Sequence, residues 1–140
     1  MPSALIFGGS GRLAKFISER PVKKNYTVYS VIQREEHIPS LYKLGATPII
    51  QSLEDLTVAE LTKVIKLSLP DIVIFAAGVY KDPIFNCIID RDTAIKVFDT
   101  IVEADCTKCI ITISIINARN CSRLRPSWYN DKDQKVSDDL

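Results

Sequence analysis

Short apolar runs alternate with amphipathic stretches five times along this chain. Ala4-Leu5-Ile6-Phe7 is apolar without a break, the pattern of a strand buried on both faces. Leu13, Ala14 and Ile17 then recur at helical spacing and predict a helix from Gly11 to Arg20, stopped by Pro21. Tyr26 to Ile32 is β-branched and aromatic, a second strand. A short helix over Ser40 to Leu44, introduced by Pro39 and capped by Gly45, leads to a weak third strand, Thr47 to Gln51. Pro48 suits only the beginning of that strand or a sheet edge. Thr57 and Glu60 have capping-box spacing, and the helix they start carries Leu61, Val64, Ile65 and Leu69 on one face before Pro70 closes it. Asp71 to Gly78 is a fourth strand, apolar on both faces. Asp82 and Pro83 can cap a helix that reaches Ala104, with Ile88, Ile95, Phe98 and Val102 as its buried stripe. Cys109 to Ile115 is a fifth strand. The remainder, Asn117 to Leu140, is polar, holds Pro126 and shows no period.

Strands that alternate with helices, several of them apolar throughout, predict an α/β fold with a parallel sheet covered on both faces. Right-handed crossovers make it doubly wound, with five strands in the order 3-2-1-4-5, flanked by helices. Residues 1–116 form the domain, and 117–140 are a polar C-terminal tail rather than a second domain. A ligand belongs at the carboxyl ends of strands one and four, where the winding reverses.

Composition narrows the function without naming it. The chain has 140 residues, 46% hydrophobic and 25% charged, enough for a real core. A net charge of +1 gives no basic surface for nucleic acid or for an acidic membrane. No apolar run approaches the roughly 20 residues of a membrane helix. The N-terminus reads as a strand rather than a signal peptide, so a cytoplasmic protein with four reduced cysteines is expected.

The chemistry concentrates in Gly8-Gly9-Ser10-Gly11-Arg12-Leu13-Ala14, between the first strand and the first helix. Strand, glycine-rich turn and helix in that order are the setting in which G-x-x-G-x-x-G/A cradles a nucleotide phosphate. Gly8 and Gly9 are expected to permit the turn and to leave no Cβ in a phosphate's way. Gly11 opens the helix, whose unpaired N–H groups and positive dipole end face the turn. Ala14 is small enough for close packing of helix on strand.

These residues resemble the G-A-T-G-x-x-G signature of atypical short-chain dehydrogenases, the NAD(P)H-binding Rossmann group related to NmrA-like proteins and flavin reductase. Three further segments are similar to the same group: Ile32-Gln33-Arg34, Phe75-Ala76-Ala77-Gly78 and Ile89-Asp90-Arg91-Asp92-Thr93-Ala94-Ile95-Lys96. Ser114, and then Trp128-Tyr129-Asn130, carry the similarity almost to the C-terminus. The resemblance implies a dinucleotide cofactor and descent from oxidoreductases that transfer hydride from nicotinamide. Three departures stand out. Gln51-Ser52-Leu53 replaces the Gly-Asp-Leu that often lies near the adenine. Thr93 stands where glycine is common. No Tyr-x-x-x-Lys pair follows the polar loop; four residues beyond Tyr129 is Asp133. The chain is therefore expected to be an N-terminal portion that lacks a substrate-binding half. A nucleotide-sensing regulatory module and a truncated product without activity are the alternatives to an enzyme.

The expected cofactor-binding residues are Gly8, Gly9, Ser10, Gly11, Arg12, Leu13, Arg34, Ser52, Leu53, Ala76, Ala77 and Gly78. Arg34, just after strand two, can pair with a 2′-phosphate, which favours NADP(H) over NAD(H); Glu35 and Glu36 are expected to point elsewhere. Arg12 either supplements the phosphate site or is an exposed helix charge. Ala76 to Gly78 either leave space for a ribose or simply pack. Ser114 is a weak catalytic candidate, either donating to a carbonyl substrate or satisfying its own backbone. Cys106 and Cys109 form a lone C-x-x-C that reads as packing, and with His37 the single histidine no metal site is expected. Trp128 and Tyr129 either close over a substrate or pin the tail; Asp131, Asp133, Asp138 and Asp139 are a solvated acidic tail. The continuous, apolar fifth strand is expected to leave an open edge that drives self-association.

Overall fold

A computed structural model describes residues 1–78 and 87–113, apart from the side chains of Cys87, Ile88 and Asp90. Its elements are β1 (Ser3–Phe7), α1 (Arg12–Lys23), β2 (Thr27–Ile32), α2 (Ile38–Lys43), β3 (Ala46–Ile50), α3 (Val58–Ser68), β4 (Ile72–Phe75), α4 (Ala94–Ala104) and β5 (Cys109–Thr112). A 3-10 turn, Glu35–His37, leads into α2, and a π-helical segment, Cys87–Thr93, leads into α4. The proposed caps Asp82 and Pro83, the candidate Ser114 and all of 115–140 lie outside the described residues.

The five strands form one parallel sheet in the order β3-β2-β1-β4-β5. β1 is central: Phe7 is level with Val31 on one side and with Phe75 on the other. All five β1 residues are buried, as its unbroken apolar run requires. Alternation then splits the core in two. Leu5, Phe7, Val31, Val73 and Phe75 pack under α3 and α4, with Leu61, Val64, Ile65, Val97 and Ile101. Ala4, Ile6, Val28, Ile32 and Ile74 pack under α1 and α2, with Ala14 and Leu41. The Phe75 ring lies 6.1 Å from Phe7 and 6.0 Å from Phe98, the second pair edge to face. Truncating so buried a ring to alanine costs about 3–5 kcal/mol.

Several local signals act as read. Thr57 Oγ1 accepts from the Glu60 N–H, and the Glu60 carboxylate accepts from the Thr57 N–H, so the capping box is complete. That hydroxyl-bonded, N–H-bonded carboxyl is held below its ordinary value. Gly45 takes φ +79 after α2, and Pro48 sits on the edge strand β3.

Three readings change. Pro21 lies inside α1 instead of stopping it. In the last turn only one helical bond is lost, and the end closes through Lys24 N–H to Pro21 O (2.9 Å) and Asn25 N–H to Val22 O (3.0 Å). Leu69 is not on the buried face of α3; it is 63% exposed at φ +40. Pro70 disfavours helical backbone at the residue before it, so the phase of α3 ends one residue early. The stripe on α4 is Ala94, Val97, Thr100 and Ile101 with Phe98, whereas Ile95 and Val102 are exposed. The π-helical turn upstream carries more residues per turn than an α-helix, so a phase extended from Pro83 arrives rotated.

Candidate functional site

The site is built where β1 ends. Gly8 turns the chain at φ +78, and the Gly11 N–H donates to Gly8 O at 3.0 Å, closing a tight turn. The Gly9 N–H donates to Val31 O at 3.0 Å, which fastens the turn over β2. Gly11 is the N-cap of α1, with φ −63 and ψ 151 and no side-chain cap. The first helical bond runs from Lys15 N–H to Gly11 O, so the N–H groups of Arg12, Leu13 and Ala14 have no partner within the helix. No acidic residue occupies that first turn. The positive end of the helix therefore faces out of the turn without a competing carboxylate.

Gly8 permits the turn and Gly11 opens the helix, as expected, while Gly8 and Gly9 also have close neighbours on the side where a Cβ would stand. A Cβ on Gly8 would stand 2.6 Å from Ala77 Cα, and one on Gly9 would stand 2.7 Å from Ser30 Cβ. Their missing side chains make room for the neighbouring strands rather than for a ligand. Only Gly11 fits the other role: a Cβ there would meet nothing nearer than Gly8 O, at 3.4 Å. Ala14 is 1% exposed among the residues packed under α1, the close approach its size allows.

An open cleft of about 150 Å³ runs from this turn across the carboxyl ends of β1, β2 and β4. Gly8, Ser10 and Gly11 form one end. Ala76, Ala77 and Gly78, just past β4, form a low wall. Val31, Ile32 and Gln33, at the end of β2, together with Leu53 and Ile89, form the other side. Of the expected residues, the structure gathers Gly8, Ser10, Gly11, Leu53, Ala76, Ala77 and Gly78 around the cleft. Gly9 lies buried behind the turn, Leu13 is 51% exposed, and Ser52, Arg12 and Arg34 are not part of the lining. The sequence reading missed Val31, Ile32, Gln33 and Ile89. The first three follow from the register, because Val31 is level with Phe7, the last residue before the turn. Ile89 carries no such signal, since its position depends on the π-helical segment.

Arg34 is exposed just beyond β2, with Nη1 3.4 Å from Glu36 Oε1. The Glu36 carboxylate sits beside the guanidinium and, at 3.6 Å, beside His37 Nε2. Cys106 packs against the core and Cys109 is exposed on β5, both as free thiols. Among the described residues no group of three His, Cys, Asp or Glu side chains could hold a metal ion. No described helix is long and apolar enough to cross a membrane.

The described lining of the cleft contains no carboxyl, imidazole, amine, thiol or phenol. Its polar groups are backbone N–H, the Ser10 hydroxyl and the Gln33 amide. Such a lining suits an anionic, partly flat ligand.

No protein-family model matches the chain. The UPF0659 protein C216.03 of Schizosaccharomyces pombe is 28% identical over 138 residues, which are 97% of this chain and 56% of that protein. The F189W actinorhodin polyketide ketoreductase with NADPH superposes with a TM-score of 0.75 at 15% identity, over 98% of this chain and 59% of its own. The Bordetella bronchiseptica enzyme WbmG in complex with NAD superposes with a TM-score of 0.72 at 17% identity, over 98% of this chain and 47% of its own. The chain thus spans about half the length of the proteins it resembles. The fold is the Rossmann type found in proteins that bind nicotinamide dinucleotides.

Proposed function

We propose that this chain binds a nicotinamide dinucleotide, NADP(H) in preference to NAD(H), as the cofactor-binding part of an oxidoreductase-related protein. One observation carries the reading. The acid-free first turn of α1 opens on a cleft at the topological switch point, through the one glycine of the turn whose Cβ direction is clear. The pyrophosphate would take the N–H groups of Arg12 and Leu13, with the Ser10 hydroxyl beside them. Ala76 to Gly78 would leave space for a ribose. The flat base would lie against Val31, Ile32, Leu53 and Ile89. The two structures named above carry different dinucleotides, one NAD and one NADPH, so the preference rests on Arg34. Its guanidinium, just past the end of β2, can meet a 2′-phosphate bidentately.

The cofactor, when bound, supplies hydride chemistry; the residues described here hold it. Because the sequence holds no Tyr-x-x-x-Lys pair, turnover by these 140 residues alone should be near background. Isothermal titration with NADPH and NADH tests the reading: saturable NADPH binding, tighter than NADH, is expected. Absence of saturable binding by either would overturn it. NADPH oxidation across quinones, flavins and carbonyls separates an active enzyme from a binding module, and brisk turnover would refute the second part.

A further inference from the structure

Thr93 ties the loop after β3 to the helix after β4. Its side chain is buried, 1% exposed, and its hydroxyl donates to Leu53 O at 2.9 Å across 40 residues of sequence. Leu53 is itself buried and lines the cleft, next to Ile89 from the π-helical segment that Thr93 terminates. Three residues along, Lys96 Nζ reaches Leu56 O at 3.5 Å, a longer contact to the same loop. The loop lies between the end of β3 at Ile50 and the start of α3 at Val58; Gln51 N–H anchors its first residue to Ile32 O of β2 at 2.9 Å, and Leu53 and Leu56 pack in the core, where the Thr93 hydroxyl adds a bond to the loop backbone. A buried carbonyl that loses its donor is strongly penalised, so the Leu53 peptide stays where the Thr93 hydroxyl can reach it. A π-helical turn also tends to occur where a helix is adapted to a site.

We propose that Thr93 is a positioning residue: through Leu53 O it fixes the apolar wall on which the nucleotide base lies. The inference rests on the nucleotide-binding reading. It makes base selectivity, rather than phosphate affinity, the property Thr93 controls, because the phosphate turn is built by other residues at the other end of the cleft. A purine, with two fused rings, loses more than a pyrimidine when that wall moves.

The test compares ADP with UDP, which share the diphosphate and differ in the base. Wild-type protein should bind ADP more tightly than UDP. Thr93→Val, close in shape but without the hydroxyl, should weaken ADP about ten-fold and leave UDP nearly unchanged. Thr93→Ser keeps the hydroxyl and should restore most of the ADP affinity. Hydrogen exchange of the amides in residues 51–57 should quicken in Thr93→Val and not in Thr93→Ser. Wild-type binding of ADP with an unchanged Thr93→Val variant would overturn the inference alone. Equal loss of ADP and UDP would assign Thr93 a purely structural role and overturn it as well. No binding of ADP, UDP or NADPH by the wild type would remove the nucleotide reading and this inference together.

Discussion

Gly9 and Ser30 touch through a missing side chain: a Cβ on Gly9 would stand 2.7 Å from Ser30 Cβ and 3.0 Å from its Oγ. Ser30 is fully buried on β2, and its hydroxyl has no hydrogen-bond partner among the described residues. The turn after β1 thus rests on a residue small enough to let it approach β2. Gly9→Ala should destabilise by about 1–3 kcal/mol through overpacking. Ser30→Ala, which removes only the unpaired hydroxyl, should leave stability unchanged or raise it by up to about 1 kcal/mol. Thermal unfolding checks both, and a clear fall in Tm for Ser30→Ala would contradict the account.

Gly11→Asp separates stability from binding. The extended backbone at Gly11 suits an aspartate N-cap, and the side chain has space. The ligand-free variant should therefore be as stable as wild type, or a few tenths of a kcal/mol more so. A carboxylate at the helix N-terminus would face the pyrophosphate, so NADPH binding should be abolished. A folded variant with unchanged affinity would sink the phosphate-turn assignment.

Arg34 and Glu36 predict opposite shifts. Arg34→Ala should weaken NADPH about ten-fold and leave NADH nearly unaffected. Glu36→Gln removes the carboxylate 3.4 Å from the guanidinium and should tighten NADPH by a few-fold. Titration of both variants against both cofactors reads this; tighter binding of NADH than NADPH to Glu36→Gln would refute the role given to Arg34.

Asp71 sets a pH window at the amino ends of the strands. It accepts from Lys108 Nζ at 2.6 Å and from the Ser3 N–H at 2.9 Å, linking β1, β4 and β5. The Lys108 ammonium, and then the Ser3 N–H, hold its carboxyl below the ordinary 3.8. Asp71 in turn holds Lys108 above the ordinary 10.5. A lowered acid stabilises above its unfolded value and loses that stability as pH falls through the folded one. A raised base stabilises below its unfolded value and loses it as pH rises through the folded one. The pair therefore contributes between about pH 4 and pH 10, and Asp71→Asn should lower Tm at pH 7 more than at pH 3. An equal loss at both pH values would argue against the linkage.

Among the described residues β5 is one edge of the sheet, with Ile110 and Ile111 38% and 44% exposed and Ile113, just past it, 40% exposed. An apolar edge strand pairs readily with another chain. A protein made of these 140 residues should sediment as dimers or larger species, and Ile111→Lys should shift it toward monomer. A wild-type monomer at tens of micromolar would refute this.

The strand order was legible because β1, β2 and β4 each carry an unbroken or alternating apolar run, and right-handed crossovers leave few ways to join them. The capping box at Thr57 and Glu60 and the turn at Gly45 were legible because both depend on residues a few positions apart. Less legible was anything set by tertiary contact. Glycine spacing does not reveal that Gly8 faces Ala77 and Gly9 faces Ser30. Helical periodicity cannot foresee a π-helical turn, so the α4 stripe moved and Ile89 was missed. The Arg34–Glu36 contact was not legible because loop direction, unlike strand alternation, has no period.

The central place of β1 also orders the assembly of the molecule. Ser3 and Asp71, 68 residues apart, bond to each other, so β1 is half-paired until β4 follows. β2 can dock early along one margin, while Ala4 to Phe7 keep their other margin open through the synthesis of α2, β3 and α3. During that interval a strand whose five residues all end up buried is open along one margin. Contacts of such long range slow folding, and pulse-labelled exchange should show the β1–β4 amides protected after those of β1–β2.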